Sequence, residues 1–148
     1  MRVRSAAILI QNNALALMER HRGDRHYFSF PGGGVDEGET PEQAVIREAH
    51  EELGIEAKVI RLAAELWFNG DQQFFFLVEQ TGGTFGTGAG EEFASGLDPA
   101  RGTYDPAWMP LDQVTVQNVL PKPVAALVAK SHPDAWPAAP ITIYEEPT

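Results

Sequence analysis

The sequence predicts a single domain of the α/β class, and three observations lead to this prediction. The chain has 148 residues, a length that suits one domain with one hydrophobic core. Apolar-rich runs typical of strands occur together with segments typical of helices, of which Thr40–Leu53 has the clearest helical pattern. The run Phe74–Val78 is apolar on both faces, so its strand is expected to lie centrally in a sheet that is covered on both sides.

The first elements are expected to be a hairpin, a short strand and a loop. Asn12-Asn13 separates two apolar-rich runs, and this arrangement predicts a hairpin with a tight turn. The two runs are Arg4–Gln11 and Ala14–Glu19. A short strand at Tyr27–Phe30 is expected next, followed by a glycine-rich loop over Pro31–Glu39.

The helix predicted over Thr40–Leu53 has recognisable signals at both ends. Thr40 is placed to cap its N-terminus, with Pro41 at the first helical position and Gln43 three residues after the cap, which together make a capping box. Gly54 provides the C-terminal stop. These signals define the helix independently of its apolar pattern.

The second half of the chain is expected to add three strands and one helix. Strands are predicted over Glu56–Trp67 and Gln73–Glu79, and the Gly/Thr-rich segment Thr81–Pro106 is predicted to be a long loop. A short strand over Thr103–Met109 and a closing helix over Pro121–Lys130 would complete the domain.

The domain is expected to comprise residues 1–130, followed by a Pro/Ala-rich tail over residues 131–148. Within this tail, Ile141–Tyr144 has the composition of a strand. It either adds a strand to the edge of the sheet or stays loose, and the sequence leaves both interpretations open.

The composition excludes several classes of function. There are 11 Lys and Arg residues against 21 Asp and Glu residues, a formal charge of −10, and no cysteine. An acidic chain is a poor binder of long nucleic acids, which require a basic face, although a divalent metal can still mediate contact with a polyphosphate. The lack of cysteine excludes disulfides, thiolate zinc sites and cysteine nucleophiles.

The chain also lacks the pattern of a membrane or secreted protein. No apolar stretch approaches the roughly 18 residues that a membrane-spanning helix needs. The apolar run Ala6–Ile10, which follows the basic residues Arg2 and Arg4, is too short for the apolar core of a signal peptide. We therefore expect no membrane partner and a cytoplasmic location.

Three glutamates of the predicted helix lie on one face. With about 100° per residue and Glu48 as the origin, Glu51 falls at about −60° and Glu52 at about +40°. Like charges on adjacent turns destabilise a helix unless a cation lies between them, and carboxylate oxygens suit Mg²⁺ or Mn²⁺. The alternative is a solvated glutamate face, which is common on surface helices.

The same projection predicts which side of the helix packs against the core. Ile46, Ala49 and Leu53 fall between about 100° and 160°, and they are expected to form the apolar stripe. The helix would then be anchored by one side and present its carboxylates on another.

The glycine-rich loop and the helix together resemble the Nudix box, the signature of hydrolases that cleave nucleoside diphosphates linked to another group. Every fixed position of the pattern is matched, and the flanking segments Phe30-Pro31-Gly32 and Gly38-Glu39-Thr40-Pro41 are typical of the family as well. The matching positions are Gly33, Glu39, Arg47-Glu48-Ala49, Glu51-Glu52 and Gly54-Ile55.

The resemblance implies an α/β/α sandwich around a mixed β-sheet and a metal site on the helix. It implies that Glu48, Glu51 and Glu52 bind Mg²⁺, with Mn²⁺ as a substitute, and that the carbonyl of Gly32 is a further ligand. It also implies that Arg47 orients a glutamate ligand.

The implied reaction is metal-assisted hydrolysis of a pyrophosphate bond by water. Glu51 and Glu52 are the candidates for the general base on the helix. Some family members use an acid from a loop instead, and here the long loop offers Glu91 and Glu92, of which Glu92 is preferred. The alternative for both loop acids is plain solvation.

Contacts with the substrate are predicted from weaker sequence signals than the metal site. Glycines allow the backbone to approach metal and phosphate closely, arginines before the box could hold distal phosphates or be solvated charges, and aromatic residues could stack on a base or lie in the core. An asparagine near the last helix could contact a base edge. These candidates are Gly33, Gly34, Arg20, Arg22, Arg25, Trp67, Phe68, Tyr104 and Asn118.

Two functions remain open at this stage. The chain is either a hydrolase or a catalytically silent module that binds a nucleotide, and the complete set of box glutamates favours the hydrolase.

The residues that mark two substrate subgroups of the family are absent. Gly70-Asp71 replaces the proline typical of enzymes for ADP-ribose, and Gln72-Gln73 replaces the tyrosine typical of enzymes for dinucleoside polyphosphates. Nucleoside triphosphates are therefore the least excluded substrates. The oligomeric state is left open, with a homodimer as one alternative because dimers are frequent in the family.

Overall fold

The computed structural model describes residues 2–88 and 102–145. Ten strands and two α-helices are present in this part of the chain, together with one 3-10 turn at Leu111–Gln113. In chain order the elements are β1 (Val3–Ile8), β2 (Ile10–Gln11), β3 (Ala14–Arg22), β4 (Arg25–Ser29), β5 (Gly32–Gly34), α1 (Pro41–Leu53), β6 (Ile55–Phe68), β7 (Asp71–Gly83), β8 (Asp105–Pro110), β9 (Val119–Leu120), α2 (Lys122–Ser131) and β10 (Ile141–Glu145).

The strands form two sheets. The first has the order β10-β6-β7-β1-β5, and the second has the order β2-β3-β4-β9 with β8 paired to β3. The first sheet is mixed, because β7 is parallel to β1 and antiparallel to β6. The prediction that Phe74–Val78 lies centrally is confirmed, since these residues belong to β7, the middle strand of the first sheet.

Two helices cover opposite faces of the β-layer, so the predicted α/β/α sandwich is confirmed. Neighbouring residues of β1 and β7, such as Ala6 and Ala7 or Phe75 and Phe76, belong to different core clusters. One cluster includes Val45, Ala49 and Leu53 of α1. The other includes Val124, Leu127 and Val128 of α2.

The predicted hairpin at Asn12-Asn13 is correct at the turn but wrong in extent. Both asparagines have positive φ, 52° and 59°, as a two-residue type I′ turn requires. Only Ile10–Gln11 pairs with Ala14–Leu15, because the run bends at Leu9 and β1 joins the other sheet beside β7. The apolar-rich run Arg4–Gln11 therefore contributes β1 to one sheet and β2 to the other.

Two further segments differ from the sequence prediction, and the tail forms the edge strand that was one of its two alternatives. Gly32–Gly34 forms β5, paired antiparallel with β1, instead of remaining in a loop. The strand expected at Tyr27–Phe30 begins earlier, at Arg25, and forms a hairpin with β3 whose last pair is Arg22 and Arg25. In the tail, β10 pairs in parallel with β6 at the edge of the first sheet.

The ends of α1 follow the prediction, and so do Ala49 and Leu53 of its predicted apolar stripe, which are buried; Ile46 does not. Thr40 and Gln43 form the capping box, and Gly54 adopts the left-handed conformation at the C-cap with φ of 78°. Ile46, predicted to lie in the core, is 39% exposed. The buried arc is instead centred between Val45 and Glu52, so the acidic residues lie within the packed side of the helix.

None of the helices in the described ranges is both long and apolar enough to cross a membrane.

Phe75→Ala should lower the free energy of unfolding by about 3–5 kcal/mol, because Phe75 is fully buried and packs edge-on against Phe30 at 5.4 Å. Chemical denaturation measures this loss. Val116→Ala is the control, since Val116 is 69% exposed, and a change within about 0.5 kcal/mol is expected. A loss below about 1 kcal/mol for Phe75→Ala would contradict the assigned core.

Candidate active site

Strand β5 brings glycine backbone against the side chains of α1. A Cβ atom at Gly32 would overlap the carbonyl oxygen of Ser5, and one at Gly33 would overlap the carboxylate of Glu48. Only glycine fits at these two positions, because the neighbouring groups are backbone or are held in place. The glycines thus allow β5 to pair with β1 and to lie directly on the helix carboxylates.

Two of the three helix glutamates are buried. Glu48 is 5% exposed and Glu52 is 3% exposed. Oε1 of Glu52 accepts a hydrogen bond of 3.2 Å from the backbone N–H of Gly32. Glu51 lies at the edge of the buried arc, with its side chain 37% exposed. The solvated-face interpretation therefore does not hold for Glu48 and Glu52.

Arg47 joins these carboxylates to the loop before the helix. Its Nη1 donates to Oε1 of Glu48 at 2.8 Å and to Oε2 of Glu51 at 3.2 Å. Its Nη2 donates to the carbonyl of Gly34 at 2.9 Å. One guanidinium therefore holds two helix carboxylates and the end of β5 together.

Glu39 binds the remaining side of the same guanidinium. Its two oxygens accept from Nε and Nη2 of Arg47, each at 2.9 Å, in a bidentate pair. This pair, with a hydrogen bond from the backbone of Asp36, lowers the pKa of Glu39 to about 2 from an ordinary value of 4.5. Glu39 in turn raises the pKa of Arg47, so the pair stays charged across the physiological range.

A cleft of about 1160 Å³ opens over the buried carboxylates. Gly32–Gly34, Glu48 and Glu52 line one part of it. Five of the eleven cationic side chains of the protein also line it, although the chain has a net charge of −10. They are Arg2, Arg4, Arg20, Arg22 and Lys122.

Arg4 is a cleft residue that the sequence interpretation missed as a site residue. The pKa of Arg4 is lowered, mainly by burial and further by the neighbouring charge of Arg2. The charges of Glu52 and Glu48 act in the opposite direction. Arg4 therefore lies close enough to the helix carboxylates to interact with them. The signal was present in the alternation of Arg2 and Arg4, which places both side chains on one face of the extended chain.

Arg20 lies against aromatic rings at the side of the cleft. Its guanidinium is 3.5 Å from the centroid of the Tyr104 ring and 5.5 Å from that of Tyr27. Its Nε donates to the carbonyl of Thr103 at 2.9 Å. Arg20 is therefore a packed residue of β3, and not a solvated loop charge. Arg25 also lies over the ring of Tyr27.

The other predicted contacts are distributed unevenly. Gly33, Gly34, Phe68 and Tyr104 line the cleft. Among the described residues, Trp67, Glu51 and Asn118 are not part of its lining.

Asn118 is close to residues 120–122, which line this cleft, but is not itself part of the lining. It borders a second cavity, of about 490 Å³, next to α2. Its Nδ2 donates to the carbonyl of His26, and its own carbonyl accepts from the N–H of Phe28. These bonds hold β9 beside β4, and the predicted contact of Asn118 with a base stays a prediction.

Glu91 and Glu92 lie outside the described residues.

The glutamates of α1 fit a divalent metal ion. Glu48, Glu51 and Glu52 bring three carboxylates of one helix together, and Glu48 and Glu52 are buried. Like charges on adjacent turns repel each other, and a bound cation would offset this repulsion. The hard oxygen donors of these carboxylates are those that Mg²⁺ and Mn²⁺ prefer. The predicted ligation by the carbonyl of Gly32 stays a prediction.

Glu39→Gln should change how the free energy of unfolding depends on pH. Because the pKa of Glu39 lies below its ordinary value, its charge stabilises the fold fully above about pH 4.5, and this contribution is lost as the pH falls toward about 2. Wild type should be more stable than Glu39→Gln at neutral pH, and the difference should shrink between pH 4.5 and 2 in denaturation measurements. Glu37→Gln, an exposed change in the same loop, is the control. A difference that does not vary with pH would contradict the assigned pair.

Two curated relatives match this chain over a limited segment. An RNA pyrophosphohydrolase from Vibrio atlanticus is 43% identical over 60 residues, which are 40% of this chain and 35% of that protein. The corresponding protein from Photobacterium profundum is also 43% identical over 60 residues, 40% of this chain and 34% of that protein. The match thus spans about a third of the length of these relatives.

Solved structures match the whole fold at low identity. An ADP-ribose pyrophosphatase from Streptococcus suis superposes with a TM-score of 0.67 at 18% identity, covering 97% of this chain and 98% of that chain. A MutT protein from Bacillus halodurans superposes with a TM-score of 0.66 at 18% identity, covering 99% and 92%. Residues 1–132 match the NUDIX domain family. This match confirms the resemblance seen in the glycine loop and helix, and the chain belongs to the NUDIX domain family.

Proposed function

We propose that the protein is a metal-dependent hydrolase that cleaves a pyrophosphate bond in a nucleotide. The observation that carries this proposal is the pair of buried carboxylates, Glu48 and Glu52, beneath a cleft whose walls hold five cationic side chains. Carboxylates suit the metal and cations suit the phosphates, so the cleft has the two halves of a site for a metal-bound polyphosphate.

Glu48, Glu51 and Glu52 would hold Mg²⁺ or Mn²⁺. When bound, the ion would supply a water of lowered pKa and would neutralise charge on the phosphate oxygens. Arg47 is a positioning residue in this proposal, because it contacts two of these carboxylates through one guanidinium nitrogen. Its bidentate bond to Glu39 prevents that nitrogen from turning away.

The cations of the cleft would bind the phosphates. Arg4 lines the cleft together with Glu48 and Glu52, and the charges of both glutamates act on its pKa. Arg20 is held by Tyr104 and Thr103, so its position is set before a substrate arrives. Arg22 and Lys122 line the same cleft. A cation held in place as Arg20 is would stabilise negative charge that develops on the leaving phosphate.

The general base is proposed among Glu51, Glu52 and Glu92. Glu52 lines the cleft and accepts a hydrogen bond from the backbone of Gly32. Glu51 is at the rim and is bound to Arg47. On this geometry we favour Glu52, and substitution of each acid by the matching amide, followed by kinetics, separates the three.

A nucleoside triphosphate is the proposed substrate class. The relatives from Vibrio and Photobacterium are named RNA pyrophosphohydrolases, and a 5′-triphosphate is the group that an RNA end and a free nucleotide share. The net charge of −10 disfavours contact with an RNA chain outside the cleft, because its phosphates would meet an acidic surface. The free nucleotide is therefore preferred over the RNA end.

Glu52→Gln should lower kcat for nucleotide hydrolysis by about 10²–10⁴-fold, the range expected when a general base is lost. Product release is measured in Mg²⁺ with nucleoside triphosphates, sugar nucleotides, dinucleotides and 5′-triphosphorylated RNA. Glu42→Gln, an exposed change on the same helix, is the matched control and should retain activity. If wild type binds nucleotides but hydrolyses none of them, the protein is a nucleotide-binding module and the proposal fails.

Mg²⁺ should raise the melting temperature of the wild-type protein. Binding at about 100 times the Kd would add about 2.7 kcal/mol to the free energy of unfolding, because the ion binds the folded carboxylates. Thermal unfolding in millimolar Mg²⁺ is compared with unfolding in EDTA, and the shift should be smaller in Glu48→Gln. Coincident melting curves of wild type under the two conditions would contradict a metal site on α1.

A further inference from the structure

A second group of metal-binding side chains lies at the end of the β3–β4 hairpin. Glu19 and His21 are two residues apart on β3 and therefore lie on the same face of the sheet. His26 is directly opposite His21 in the antiparallel ladder. The register thus brings one carboxylate and two imidazoles together from two strands.

The three side chains are close enough to share one ion. Nε2 of His26 is 2.7 Å from Oε2 of Glu19. The rings of His21 and His26 are stacked with centroids 4.2 Å apart and planes within 5° of parallel. The three ligand atoms all lie within 4.8 Å of one another. Tetrahedral coordination requires donor atoms about 3.3 Å apart, a change that rotation of these partly exposed side chains can supply.

We propose that Glu19, His21 and His26 bind one divalent transition-metal ion, of which Zn²⁺ is the representative. Two imidazoles and a carboxylate are a donor set for Zn²⁺, Co²⁺ or Ni²⁺, whereas Mg²⁺ prefers oxygen ligands. This site therefore differs in chemistry from the carboxylates of α1. The ion would replace the proton between His26 and Glu19, and water would complete its coordination.

The opposite face of the same hairpin borders the cleft. Residues alternate along β3, so Arg20 and Arg22 point away from the face that holds Glu19 and His21. Both arginines line the cleft, as does Tyr27 of β4. An ion on the outer face would cross-link β3 to β4 behind these arginines and would restrict the movement of the hairpin end.

The hairpin end is also bonded to the segment that carries Tyr104. The backbone N–H of His21 donates to Oγ1 of Thr103 at 3.1 Å, and the N–H of Thr103 donates to the carbonyl of His21 at 2.9 Å. Arg20 stacks on Tyr104 at the next position. Fixing His21 with a metal ion would thus restrain one wall of the cleft as well as the hairpin.

Calorimetric titration with ZnCl₂ tests the site in untagged full-length protein that is saturated with Mg²⁺. We expect one Zn²⁺ per chain in the wild type. His21→Asn and His26→Asn should each weaken Zn²⁺ binding by more than about tenfold. Loss of a residue that only orients a metal ligand already lowers metal affinity by about that factor, and loss of the ligand itself should cost at least as much. His50→Asn removes an exposed histidine of α1 and should leave the Zn²⁺ affinity unchanged.

Imidazole NMR resonances of the wild type give a second readout that needs no variant. Zn²⁺ should shift the ring signals of His21 and His26 and leave those of His50 and His132 in place. This readout remains available if a histidine variant does not fold. Lack of Zn²⁺ binding, binding that persists in both histidine variants, or shifts confined to the other two histidines would each overturn the proposal.

Discussion

The contact between Arg47 and the glutamates around it is the interaction on which the rest of the site depends. Burying carboxylates costs several kcal/mol for each ion unless they are paired and hydrogen-bonded. Glu48 and Glu52 are nonetheless buried on the packed side of α1. Arg47 balances part of this charge, and its bidentate bond to Glu39 fixes the direction of the guanidinium. The glycines of β5 then allow the sheet to close over the carboxylates, so the site is built into the interface between helix and sheet.

The net charge of this protein does not reveal how its positive and negative side chains are distributed. The formal charge of −10 describes an acidic molecule, yet five of its eleven cations line one cleft. Residues from distant parts of the chain supply them: Arg4 comes from β1, Arg20 from β3 and Lys122 from α2. In the proposed function, this cationic wall binds phosphate and the buried carboxylates bind a metal ion.

Several elements could be predicted from the sequence because local interactions determine them. The capping box and the C-cap glycine of α1 are contacts between residues a few positions apart, and the turn at Asn12-Asn13 requires only the positive φ that asparagine tolerates. The central position of β7 followed from a run that is apolar on both faces. The division of the first apolar-rich run between two sheets was not predictable, because β1 finds its partner β7 more than sixty residues away.

The sequence by itself determined the spacing of the helix carboxylates, the presence of Arg47 among them and the excess of negative charge, since these depend only on residue type and helical periodicity. The tertiary structure decided that Glu48 and Glu52 are buried while Ile46 is exposed, because the buried side of a helix depends on what packs against it. It also brought Arg4 into the cleft and placed Asn118 elsewhere. Those positions follow from strand pairing between distant segments, which no local pattern encodes.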